Sequence, residues 1–165
     1  MHTFLKTLHV VAAVFLIGPL VVIPMSGLRA IRVGDLSAVR NAARQTTLYG
    51  LLAILVFALG AAVVPTESEH YNFGTPWVTI SMTLFIVALG IILGVLVPAL
   101  TKAASLLEAR TTPAPTVADG EDAAPAATVS DPQVDAARGR VAASSGVASL
   151  LLVVITVLMV VKPFG

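Results

Sequence analysis

Apolar residues in this chain gather into four long runs separated by polar punctuation, roughly Phe4–Leu28, Thr47–Val64, Trp77–Leu100 and Val141–Val161. Each is close to the ~20 residues whose helical rise crosses ~30 Å of hydrocarbon. A segment in lipid must pair its peptide groups internally, so every run reads as a helix. The expected fold is all-α: four transmembrane helices forming two hairpins in one membrane domain, with both termini outside. The first run is longer than the ~7–15-residue core of a secretory signal, and no small-x-small cleavage site follows it. It reads as a retained span.

The punctuation carries its own signals. Gly34-Asp35 precedes LSAVRNAAR, and Asp35 can cap the unpaired amides of a helix starting at Leu36. Leu36, Val39, Ala42 and Ala43 then share one face, so the second helix starts before its apolar run. Asp131-Pro132 repeats the signal, a cap followed by proline at the first helical position. Pro24 and Pro98 lie near helix ends and are expected to kink or end the membrane portion. Residues 111–130, TTPAPTVADGEDAAPAATVS, have almost no large apolar side chain. They read as a flexible cytoplasmic linker whose acids Asp119, Glu121 and Asp122 form a solvated spacer or dock on a basic partner.

Composition supports the bilayer as solvent. The 165 residues are 57% hydrophobic and 12% charged, with mean hydropathy +0.95; soluble chains carry about 25% charged residues. A net charge of +1 without a basic run gives no sign of a nucleic-acid partner. With no cysteine, disulfides and thiolate-held metals are excluded. The cations set a direction. Arg29, Arg32, Arg40 and Arg44 occupy the first connection and Lys102, Arg110, Arg138 and Arg140 the third, whereas Pro65–Pro76 has none. The positive-inside rule makes the first and third connections cytoplasmic, with these cations setting topology and meeting lipid headgroups. Lys6 dissents, and its stem can snorkel to the interface. Tyr71, Phe73 and Trp77 suit the aromatic belt of the opposite surface.

Chemistry is sparse. His2, His9 and His70 all fall on the expected outer side; His2 and His9 are two helical turns apart. With Glu67 and Glu69 they are weak candidates for a zinc or copper site, and His9, within the first span, is a weak candidate haem ligand. Met25, Met82 or Met159 could supply a second axial ligand. The alternative is that His9 is a hydrogen-bonded interfacial residue donating to a neighbouring helix carbonyl. No cofactor is assigned. No catalytic triad, phosphate loop, paired carboxylate or intramembrane proton relay is visible, so enzyme and transporter readings are weak. Thr79, Ser81 and Thr83 read as packing or back-bonding hydroxyls. Helix-packing signals are better: Gly90 and Gly94, and Ala142 and Gly146, have small-xxx-small spacing, which lets helices approach within the chain or against a partner. GPLVVIPMSGLRA and GVLVPALTKA, each followed by a cap and an Ala-Ala-Arg triplet, also suggest two copies of one hairpin.

The first 65 residues, with Leu8-His9 at the start of the first span and Arg32-Val-Gly34-Asp35 before the second, resemble domain-of-unknown-function family 2269, small four-span bacterial membrane proteins. The Leu-His opening is loosely similar to copper-resistance D and HemJ-type membrane proteins. That resemblance implies a metal or haem role for His9, but their further histidines and lysines have no counterparts here. In composition, Ala- and Val-rich with Arg favoured over Lys, the chain is similar to actinobacterial proteins and to accessory subunits of the cytochrome bcc–aa3 respiratory supercomplex. The resemblance implies a multi-pass protein of the bacterial plasma membrane, a non-catalytic subunit whose partners are lipid and other integral membrane subunits such as the cytochrome oxidase complex.

Overall fold

The computed structural model describes residues 2–66, 73–111 and 132–161, without the side chains of His2, Thr66 and Thr111. The expected linker from residue 112 onward, the Asp131 cap, Glu67, Glu69, His70 and Tyr71 lie outside the described residues. The described residues are almost entirely helical: α1 His2–Val33, α2 Leu36–Val63, α3 Pro76–Ile91, α4 Val97–Thr111 and α5 Pro132–Val161. A π-helical stretch, Ile92–Leu96, joins α3 to α4 in one continuous rod. Four helices are therefore long and apolar enough to cross a membrane: Thr3–Val33, Leu36–Val63, Pro76–Arg110 and Pro132–Val161. They outrun the apolar segments, chiefly at the cation-rich end, where α2 starts at Leu36 and the third rod continues through Thr111.

The α1–α2 corner is built from two residues. Gly34 adopts φ +74°, the left-handed conformation that spares glycine a Cβ clash. Its N–H donates to the Ile31 carbonyl at 3.4 Å, and the Asp35 N–H donates to the Ala30 carbonyl at 3.0 Å. These are the paired bonds of a Schellman cap. Asp35 then opens α2: its carboxylate accepts from the Ala38 N–H at 2.9 Å and from the Ser37 hydroxyl at 2.8 Å. One residue thus ends one helix and starts the next.

Pro19, Pro24 and Pro98 do not end their helices. α1 continues through Pro19 and Pro24, and Pro24 is fully buried. In the third rod the Val97 N–H reaches back five residues to the Ile92 carbonyl. This widened turn lies just before Pro98, whose ring lacks an N–H and would crowd the carbonyl of Gly94 in a regular α-helix.

The rods form an up-down-up-down bundle. α1 lies along α2, α3 and α4 lie along α5, and contacts of α2 with α4 and of α1 with α5 close the ring. Toward the cation-rich end Ala30, Ile31, Val39, Leu100, Ala103, Val134 and Val141 form one core cluster. A second, containing Leu20, Ala53, Phe85, Ile92, Leu152 and Ile155, occupies the middle and far half. Phe57 of α2 stacks on Phe85 of α3 with ring centroids 5.6 Å apart. The exterior is apolar too, with Phe15 71% and Leu150 64% exposed, as a lipid solvent requires.

Candidate functional site

His9 sits on the second turns of α1, half-buried against the last turns of α2. Its Nδ1 lies 3.1 Å from the Val56 carbonyl oxygen. A carbonyl only accepts, so Nδ1 carries the proton, and in the neutral ring Nε2 keeps its lone pair. Gly60 makes the seat. A Cβ there would come within 2.8 Å of His9 Cε1 and 3.5 Å of Nε2, so any other residue displaces the imidazole. The helical Gly60 N–H also addresses the Val56 carbonyl, four residues back, leaving that oxygen to serve two donors. His9 is therefore the interhelical hydrogen-bond donor that one of the three sequence readings describes. Its partner, a carbonyl beside a distant glycine, has no signature in the chain.

Metal ligation by the three histidines is not assembled by the described residues. The His2 side chain and His70 lie outside them, and the described residues hold no cluster of three or more His, Asp or Glu side chains. His9 by itself contributes one available nitrogen. Its Nδ1–H to carbonyl bond is the support that orients imidazole ligands in metal sites.

The small residues of the sequence motif and those of the packed core are different. Gly90, Gly94, Ala142 and Gly146 are all exposed, and a Cβ at any of the three glycines would meet nothing within 4 Å. These four residues do not bring helices together among the described residues. Close approach falls instead to Gly27, where a Cβ would sit 2.9 Å from Ala42 Cβ and 3.0 Å from Leu100 Cδ2, and to Gly50, 2.6 Å from Leu93 Cδ2. Spacing motifs mark helix faces with little bulk, but they do not say which face points inward. Gly27 stands in no such pairing on its helix, so the motif could not find it, whereas Gly50 follows Thr46 at the same spacing.

Cations collect at one end of the bundle, where the α1–α2 corner meets α4 and the start of α5. Arg40 of α2 pairs with Glu108 of α4, which ties one hairpin to the other. Both are half exposed, so the pair adds little stability. Arg138 lies 3.5 Å from Asp135 on α5. Arg29, Arg32, Arg44, Lys102 and Arg140 are also exposed. Asp35, in the solvent-exposed corner, has its carboxyl held below the usual carboxylate range by donation from the Ala38 N–H and the Ser37 hydroxyl.

Buried polar groups are few and uncharged: Thr46, Ser81, Ser144 and Ser145 among the described residues. Thr46, Ser144 and Ser145 return their hydroxyls to carbonyls on their own helix. Thr83 does the same to Thr79, and Thr79 donates to Phe73 at 2.7 Å. Ser81, 1% exposed, makes no such bond to the described residues, so the back-bonding reading holds for its two neighbours alone.

Over residues 3–163 the chain matches the family described as "predicted integral membrane protein (DUF2269)". The chain belongs to this family. Membership extends the resemblance visible in the first 65 residues through all four helices of this DUF2269 member. Neither the curated proteins nor the solved structures provide a match. The family description states residence in a membrane and no activity.

Proposed function

We propose that this DUF2269 protein is a non-catalytic accessory subunit that packs against larger integral membrane proteins. One observation carries the reading: the faces with least side-chain bulk, Gly90/Gly94 and Ala142/Gly146, are left uncovered by the described residues. Backbone approach through such faces is a main source of helix association in lipid, where water supplies no apolar driving force. α1 adds a second uncovered surface, burying 11% of its apolar window against 28% for each other span. Among the described residues the core offers hydroxyls and no charge, which suits packing better than proton transfer.

The assembly we name for the test is the cytochrome bcc–aa3 supercomplex of an actinobacterial plasma membrane. Purification of the tagged protein in mild detergent should bring down oxidase subunits in fixed proportion. Gly90→Leu with Gly146→Leu should release them while leaving the helical content unchanged. A monodisperse product without companions, or companions indifferent to both substitutions, would count against the proposal. We also infer that the eight cations from Arg29 to Arg140 face the cytoplasm, against Lys6 and Lys162 on the other side. Because the chain has no cysteine, single cysteines at Phe73 and Gly139 can report sidedness. An impermeant maleimide should label the first and spare the second in intact cells; the reverse pattern inverts the topology.

A second reading is favoured by the His9 tautomer: with Nδ1–H given to Val56, Nε2 is available to a metal or haem. An absorption band or bound metal that disappears in His9→Ala would select this reading over the first.

A further inference from the structure

We propose that the groove between the π turn with α4 and the first turns of α5 binds an anionic phospholipid, its phosphate held between Lys102 and Arg140. The groove encloses about 400 Å³, within the ~300–1,000 Å³ of ligand sites. Its walls are of low bulk, with Gly94, Val95 and Pro98 on one side and Ala136 on the other. At Gly94 there is space where a side chain would stand. Behind the groove the helices close through Ala99, Leu100, Val134 and Ala137, so it has an apolar floor and no path through the bundle.

Charge selects the occupant. Lys102 and Arg140 line the groove, and among the described residues no acidic one does. Neither side chain pairs with a described residue. The three described acids are engaged elsewhere: Asp35 with Ala38 and Ser37, Glu108 with Arg40, Asp135 with Arg138. Lys102 follows Gly94 by eight residues and Arg140 follows Pro132 by eight, about 12 Å of rise on each helix. Because α4 and α5 run antiparallel, the cations stand at opposite ends of the groove. Each Cα–Cβ bond tilts toward its own helix N-terminus, so the two stems lean toward each other over the middle. A phosphodiester there meets both cations, and an acyl chain can continue past Gly94 along the rod into hydrocarbon. A soluble phosphate gains nothing from Val95 and Pro98, and a zwitterionic lipid brings its own cation to a site already holding two.

The inference rests on the chain lying in a bilayer and not on the accessory role. The protein is placed in nanodiscs of phosphatidylcholine and phosphatidylglycerol at four to one, and lipids retained on release are counted by native mass spectrometry. Phosphatidylglycerol should be enriched, and Lys102→Ala with Arg140→Ala should lower its enrichment roughly five-fold per cation removed. Arg29→Ala with Arg32→Ala, the same change in net charge at cations that meet headgroups outside the groove, should lower it distinctly less. Gly94→Leu, whose side chain enters free space, should also lower it and serves as the readout should the alanine pair fail to fold. Equal loss in the two double variants would show diffuse attraction and overturn the site. So would absence of preference over phosphatidylcholine, or displacement by free glycerol phosphate.

Discussion

Glycines divide this bundle into places where helices touch and places where they do not, and alanine substitution should read the division directly. At Gly27 an added methyl group meets Ala42 Cβ at 2.9 Å and Leu100 Cδ2 at 3.0 Å. Ala42 Cβ is fixed to backbone, so relief requires α1 and α2 to move apart. Overpacking of this kind costs ~1–3 kcal/mol. Alanine also improves helix propensity over glycine by ~0.8–1 kcal/mol, which offsets part of the cost. At Gly90 the methyl group meets nothing within 4 Å, so only the propensity gain applies. The propensity contribution is common to both positions and cancels in the comparison. Gly27→Ala should therefore be less stable than Gly90→Ala by ~1–3 kcal/mol. Reversible unfolding in mixed micelles on addition of SDS, followed by helical circular dichroism, measures both. Adding Ala42→Gly to Gly27→Ala should restore part of the loss, giving a coupling of about 0.5 kcal/mol or more. Equal stabilities, or a larger loss at Gly90, would refute the argument that Gly27 is where the helices meet.

His9→Ala should destabilise the bundle by ~0.5–1.7 kcal/mol, the range for interhelical hydrogen bonds in lipid. Gly60→Ala should cost stability beside His9 and none beside His9→Ala, a cycle readable by the same SDS titration. The Asp35 carboxyl is held below its unfolded value, so its contribution is full above that value and is lost as pH falls through the folded one. Asp35→Asn, which can still cap, should flatten the acid limb of the unfolding midpoint as pH falls below the ordinary carboxylate range. An unchanged acid limb would mean that Asp35 does not act as the charged cap. Gly34→Ala should cost ~1–2 kcal/mol by placing a Cβ at φ +74°; thermal unfolding in detergent checks it.

Much of the architecture is legible along the chain because lipid leaves few alternatives. Four apolar runs of spanning length dictate four helices, since peptide groups without water must pair within their own segment. The Gly34-Asp35 corner is equally readable: glycine is suited to the left-handed turn, and aspartate both caps and punctuates. Even the inward face of early α2 is visible, with Val39 and Ala42 buried and Leu36 and Ala43 partly so.

Packing was decided in three dimensions. A run that is apolar all round carries no stripe to mark its inner face, so Gly90 and Gly94 look as suited to contact as Gly27 and Gly50. Only the rotation of each rod about its axis separates them, and that rotation follows from the fit of all four helices together. The same holds for His9, whose partner carbonyl stands 47 residues away and whose seat exists because Gly60 lacks a side chain. It holds again for Lys102 and Arg140, which the chain presents as two topology signals and the bundle sets along one groove. By itself the sequence settled what must cross the membrane, because that depends on local composition and backbone hydrogen bonding. Which side chains meet depends on helix register and rotation, and these exist only once the helices are packed.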